Sequence, residues 1–173
     1  MKFIPENINY IKNLSKEEFE ALFEFSQLLN SSSYQESFIE DVIDIVIKII
    51  NAERGLFVKY DEATDSFSII TARKISNESI TDLNQFSSGI LQKVIKEKRP
   101  LLYHDVMGDP NLSQFQSVQI HRIKSVIGVP IMRDGKVWGV IIADSTLDRR
   151  EFTEENLIFL NFFSNLVSLT LDR

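Results

Sequence analysis

The 173-residue chain has no cysteine. That excludes disulfides, thiolate zinc sites, cysteine nucleophiles and any cofactor held through a thioether bond. Histidine is scarce as well: His104 and His121 are the only two. Neither lies beside a Gly-x-Ser-x-Gly turn and neither has a second histidine one helical turn away, so no serine triad and no histidine metal site is legible. No apolar run approaches the ~20 residues of a membrane span. The nearest, residues 42–50, is interrupted by Asp44 and Lys48. The N-terminus lacks the charged-then-apolar pattern of a signal peptide. Basic charge is in deficit, with 19 Lys and Arg against 25 Asp and Glu and a net charge of −6. With no basic stripe to override that total, neither nucleic acid nor an anionic membrane is an expected partner. These absences together point to a soluble protein of the reducing cytoplasm.

What is present is globular. Hydrophobic residues make up 43% of the chain, and 13 phenylalanines against one tryptophan suggest a phenylalanine-rich core. The length suits one domain. Ser15 with Glu18 forms a capping box that opens a helix to about Asn30, carrying Phe19, Leu22, Phe23, Phe25, Leu28 and Leu29. A second box, Ser33 with Glu36, opens a helix to about Asn51. The period then changes to that of a hairpin, with strands over residues 55–60 and 67–73. Residues 75–86 read as loop, Ser87 or Ser88 as the cap of a helix through Lys98, and Pro100 as its stop. A short strand over 101–104 follows, then an irregular segment over 105–119 with a short helix expected from Ser113. The clearest hairpin joins residues 125–132 to 137–144 through Asp134-Gly135, a type I′ turn signal. Both strands are apolar on both faces, which places them inside a sheet covered on both sides.

The last helix runs from Thr153 towards Arg173 and is apolar on two faces. Leu157, Leu160, Phe163, Val167 and Leu171 fall on one. Ile158, Phe159, Phe162, Leu166 and Leu169 fall on the other, and Asn161, Asn165, Ser168 and Asp172 form a narrow polar stripe. Two apolar faces suit either a helix buried in its own domain or a helix with a second partner, here a dimer.

The string Phe86-Ser87-Ser88-Gly89-Ile90-Leu91, Val94, Pro100-Leu101-Leu102, Asp105-Val106, Asp109-Pro110, Ser117, residues 123–131, Gly135, residues 139–144, Phe152-Thr153-Glu154-Glu155 and Leu157 resembles the GAF domain family. It is similar to the subgroup attached to bacterial enhancer-binding activators, histidine kinases and nucleotide cyclases. The resemblance covers residues 15–173 and leaves 1–14 as an N-terminal extension. It implies an α/β (α+β) fold: a central antiparallel sheet of five to six strands, order 2-1-5-4-3. The terminal helices (15–30, 33–51 and 153–173) lie on one face, and a pocket roofed by about residues 75–119 lies on the other.

The resemblance also implies a function: a non-enzymatic, small-molecule-sensing domain of a larger signalling protein. It acts as a homodimer and relays ligand state to a kinase, cyclase or transcription-activator output domain. Two alternatives stand beside this, a ligand-free dimerisation scaffold and a cyclic-nucleotide-binding domain. One branch of the family reduces methionine sulfoxide with cysteines, and another holds bilin through a cysteine; this chain has none. Haem is not expected, and no metal site is. The nucleotide-binding branch carries Asn-Lys after the last hairpin strand, where this chain reads Asp144-Ser145-Thr146. The ligand-binding residues expected from the family's topology are Phe86, Ser87, His104, Asp105, Phe115, Ser117, Val129 and Asp144. His104 beside Asp105 suits either a polar ligand or a tie between strand and loop. Ser87-Ser88-Gly89 is a faint anion cradle if a helix starts there. The pairs Asp144 with Asp148 and Glu154 with Glu155 read as solvated charges, and Phe152 as a hydrophobic staple before a Thr153 cap. The lid-side sheet face is expected to be made apolar by Val126, Val129, Ile141 and Ala143.

Overall fold

The computed structural model describes residues 14–30, 35–73, 80–111, 113–114, 122–146 and 151–171, with the backbone alone at 35–36 and 80–88. The described elements run α1 (Lys16–Asn30), α2 (Gln35–Ile50), β1 (Arg54–Asp61), β2 (Ser66–Arg73), α3 (Ile80–Glu97), β3 (Leu101–Tyr103), β4 (Ile123–Arg133), β5 (Lys136–Thr146) and α4 (Glu154–Ser168). The five strands form one antiparallel sheet in the order β2-β1-β5-β4-β3.

Local sequence explains most boundaries. Ser15 Oγ accepts from the Glu18 amide while a Glu18 carboxylate oxygen accepts from the Ser15 amide, the reciprocal box read from the sequence. Asp134 and Gly135 both take positive φ, 51° and 78°, as the type I′ turn requires, and β4 and β5 extend past the expected hairpin at both ends. Thr153 caps α4: its hydroxyl accepts from the Asn156 amide and the Asn156 side chain accepts from the Thr153 amide. Phe152 is buried just ahead of the cap, and Leu157 packs against the same cluster. That helix closes at Ser168 rather than running on to 173, and Arg133 donates to the Leu171 carbonyl beyond its end.

Three further expectations are corrected. Helix α3 begins at Ile80, so residues 80–86 are helix and not loop, and Ser87-Ser88 lie well inside it. Ile80, Leu83, Ser87, Ile90 and Val94 continue one helical stripe, and that spacing outweighs the cap-like serine pair. The anion cradle at Ser87-Ser88-Gly89 is lost with it, because amides inside a helix are already bonded. Phe159 belongs to the inner face of α4: it is fully buried and stacked on Phe163, ring centroids 6.0 Å apart. Thirdly, Val129, Ile141 and Ala143 do not face the lid side.

That last point follows from register. Val129 opposes Ile141 and Ile127 opposes Ala143, so these four share a face. They join the larger core cluster with Phe57, Val42, Ile43 and Val46 of α2, Phe25 of α1, and Phe159, Leu160, Phe163 and Val167 of α4. Arg73 ties β2 to α2 on this side through Glu40, 3.3 Å, and Asp44, 3.0 Å. The opposite face carries Leu56, Val58, Val126, Val140 and Ile142 against Ile90, Leu91 and Val94 of α3. Helix α3 sits close because residue 128 is glycine: a Cβ there would lie 3.1 Å from Val94 Cγ2. The sheet is thus covered on both faces, as its doubly apolar strands require.

Candidate functional site

On the α3 face, one row of the sheet is unlike the rest. Arg54 of β1 pairs in register with Asp144 of β5, Asp144 with Val126 of β4, and Val126 with Tyr103 of β3. The next row up, Leu56, Ile142, Gly128 and Leu101, is apolar throughout and lies beneath α3. Lys98, just past the end of α3, donates to the Gly135 carbonyl at the β4–β5 turn. The helix therefore reaches that turn with its C-terminus, and its N-terminal half lies at the Arg54 end of the sheet. Lys93 of α3 sits 5.7 Å from the centroid of the Tyr103 ring and closes the β3 side.

Arg54 and Asp144 are 2% and 4% exposed. Arg54 Nε donates to Asp144 Oδ2 at 3.0 Å and Oδ1 at 3.2 Å, and Nη2 lies 2.7 Å from Oδ2. Among the described residues Nη1 is buried with no hydrogen-bond partner, and Nη2, within ion-pair distance of Asp144, makes no bond of hydrogen-bonding geometry. A buried ion pair costs much desolvation and is a weak source of stability. Such a pair inside an apolar face therefore marks a place where charge has been kept against its cost. Chemically it offers one edge of a guanidinium in a region of low dielectric, flanked by Leu56, Ile142 and Val126.

Asp144 is the one expected ligand residue that the structure places in this row, and it is not solvated: its partner is Arg54, while Asp148 lies outside the described residues. Val129 is on the other face, in the core beneath the terminal helices. His104 is exposed, its Nδ1 3.5 Å from Glu151 Oε1, which ties the end of β3 to the start of α4. Asp105 accepts from the Gly108 amide at 3.0 Å and shapes a turn. The next residue, Val106, is buried against the α3-side core. Phe86 and Ser87 lie in the body of α3, with the backbone alone described; Phe115, Ser117 and His121 fall outside the described residues.

Arg54 itself is absent from the expected set. It directly precedes the apolar run taken as the first strand, and a lone arginine at a strand end reads as surface. The usable signal was period two: Arg54, Leu56 and Val58 share a face.

Away from the sheet, a groove of 410 Å³ lies between α1 and α2, bordered by Glu24, Gln27, Asp41, Asp44 and Ile45, with Lys48 paired to Glu24 at 3.1 Å. It is an open helix–helix seam. Among the described residues no group of three or more His, Cys, Asp or Glu could hold a metal ion. No described helix is long and apolar enough to cross a membrane.

Comparison with known proteins agrees with this architecture. A search of curated protein sequences returned no match. Among solved structures, the GAF domain of a phosphoenolpyruvate-protein phosphotransferase from Coxiella burnetii superposes with a TM-score of 0.73 at 15% identity, over 90% of this chain and 94% of that one. The GAF domain of the Acinetobacter phosphoenolpyruvate-protein phosphotransferase gives 0.70 at 17% identity, over 92% and 99%. Free methionine-R-sulfoxide reductase from Neisseria meningitidis, solved with its substrate, gives 0.68 at 17% identity, over 90% of each chain. At these identities the likeness is one of fold. The sequence model of the GAF domain matches residues 35–172, far more than half of the chain. The chain belongs to the GAF domain family.

Proposed function

We propose that this GAF domain is a non-enzymatic regulatory sensor. In this reading a small organic ligand binds on the α3 side of the sheet. The domain works as a homodimer whose terminal helices relay the ligand state to a kinase, cyclase or transcription-activator output. The observation that carries the reading is the buried Arg54–Asp144 pair on a face that is otherwise apolar. A scaffold needs no buried charge, whereas a binding site combines apolar lining with a few placed polar groups. Relay requires that the ligand favour one of two states of the domain. β5 ends at Thr146, two residues past Asp144, and the chain re-enters the opposite core at Phe152 and α4, so a change at β5 has a short covalent path to the last helix.

The scaffold reading has its own support. Phe19, Phe23, Ile158 and Leu169 are exposed apolar side chains on α1 and at α4, suited to a second copy with or without ligand. Native mass spectrometry of the purified chain reports bound small molecules and subunit count together. A thermal-shift screen of nucleotides, cyclic nucleotides, organic acids and amino acids extends it. A ligand at a hundred times its dissociation constant adds about 2.7 kcal/mol, a rise of roughly 5–11 °C for a domain of this size. A dimer that binds no member of a broad panel would leave the scaffold reading in place of the sensor.

A further inference from the structure

We infer that the Nη1–Nη2 edge of Arg54 anchors an oxyanion, a carboxylate or phosphate group carried on an otherwise apolar small molecule. The inference rests on the sensor reading above and names the ligand class for that site. Arginine presents two edges to a planar acceptor, one through Nε and Nη2 and one through both Nη groups. Asp144 occupies the first: Nε reaches both of its oxygens and Nη2 lies 2.7 Å from Oδ2. The second edge is left over. Nη1 is buried and has no hydrogen-bond partner among the described residues, Nη2 has only its ion-pair contact with Asp144, and Arg54 as a whole is 2% exposed, so solvent is not a general substitute. Buried donors in native proteins are nearly always satisfied, and a charged one left bare is costly. The neighbours in the adjoining row, Leu56 and Ile142, and Val126 beside Asp144, offer no side-chain acceptor.

The acceptor that completes this arrangement has two oxygens in one plane, or two of a phosphate's three, to match the fork. Asp144 has already neutralised the guanidinium charge. The site therefore selects by geometry and low dielectric more than by net attraction, and an inorganic ion should gain less than an anion attached to an apolar body.

The test uses the full chain, wild type and Arg54→Lys. The lysine keeps a cation for Asp144 but has no second edge. The probes are acetate, benzoate, glutarate and phosphate at matched ionic strength, against acetamide, benzamide and glutaramide, by thermal shift and then calorimetry. Oxyanions are expected to raise the melting temperature of wild type and the amides to have little effect. Arg54→Lys is expected to weaken the best oxyanion by about tenfold or more, the scale of a lost charge-assisted pair. If the lysine variant does not fold, Arg54→Leu with Asp144→Leu replaces the pair by apolar bulk and should likewise abolish oxyanion binding. Amides binding as well as their acids, or oxyanion binding that survives in both variants, would overturn the anchor and leave the sensor reading intact. No binding by any probe, charged or neutral, overturns both. The carboxylate and phosphate arms identify which oxyanion the fork prefers.

Discussion

Arg54 and Asp144 stand 90 positions apart in the chain and 2.7 Å apart in space. Their burial fixes what substitution does. Asp144→Leu strands a buried cation and is expected to cost about 3–5 kcal/mol in urea unfolding, whereas Arg54→Leu with Asp144→Leu should recover most of that, because an apolar pair of similar bulk needs no compensation. Recovery of none of it would mean that the guanidinium does more for the fold than neutralise Asp144. A second residue-scale effect is pH-dependent. The Tyr60 hydroxyl donates to Asp65 Oδ1 at 2.8 Å. That hydrogen bond, with smaller contributions from burial and nearby carboxylates, raises the Tyr60 pKa above its ordinary value of 10.0. A raised pKa means that the folded state favours the protonated phenol. The associated stability is therefore present below about pH 10 and is lost as pH rises through the raised value. Absorbance titration should show one tyrosine ionising later than in the unfolded chain, and Asp65→Asn should move it back down. Of these two pairs neither was legible in advance. Asp65 is near Tyr60 only because the β1–β2 turn folds it back, and Arg54 acquires its partner only once β5 is laid beside β1.

At the scale of elements, caps and turns were the most readable signals, because each depends on residues three or four apart. The Thr153 box is a direct case. Thr153→Ala removes the acceptor for the Asn156 amide and is expected to lower stability by about 1 kcal/mol, read as a drop in denaturation midpoint at unchanged slope. An unchanged midpoint would mean that packing of Phe152 and Leu157 holds the helix start without its cap. Asp134-Gly135 was equally readable, and the strand order that the resemblance implied is the one observed. What failed was face assignment on β4 and β5. Polarity reports orientation only when one face is wet, and here Val126 and Ile127, like Ile141 and Ile142, are buried on opposite sides. The register of one strand on the next then decides, and that is a tertiary property. The start of α3 failed for a different reason: a serine pair has the same local chemistry at a cap and inside a helix.

For the molecule as a whole, one face of the sheet backs onto the terminal helices and the other carries the buried Arg54–Asp144 pair, and the remaining question is what covers the outer helices. Phe19 and Phe23 lie one turn apart on α1 and are 66% and 59% exposed. Ile158 of α4 and Leu169, which caps its end, are 48% and 68% exposed and follow one stripe with the half-buried Phe162, since eleven residues return a helix to nearly the same direction. Single exposed apolar residues need no explanation, but two pairs, each aligned along its own helix, are the kind of surface that a second copy covers. Light scattering at tens of micromolar is expected to give a dimer for the wild type. Phe19→Glu with Phe23→Glu, and separately Ile158→Glu with Leu169→Glu, should each shift it towards monomer. All four side chains are about half exposed or more, so circular dichroism and urea midpoints should stay close to wild type, unlike the effect of a charge at Phe159 or Phe163 in the core. The two pairs also locate the interface. If only the α1 pair dissociates the dimer, the last helix is free to move on ligand binding; if only the α4 pair does, the subunits meet at the helix that follows the Arg54–Asp144 site. A wild-type monomer at high micromolar concentration, or dimers that survive both pairs, would remove the helical interface and with it the route by which the sensor reading has one subunit feel the other.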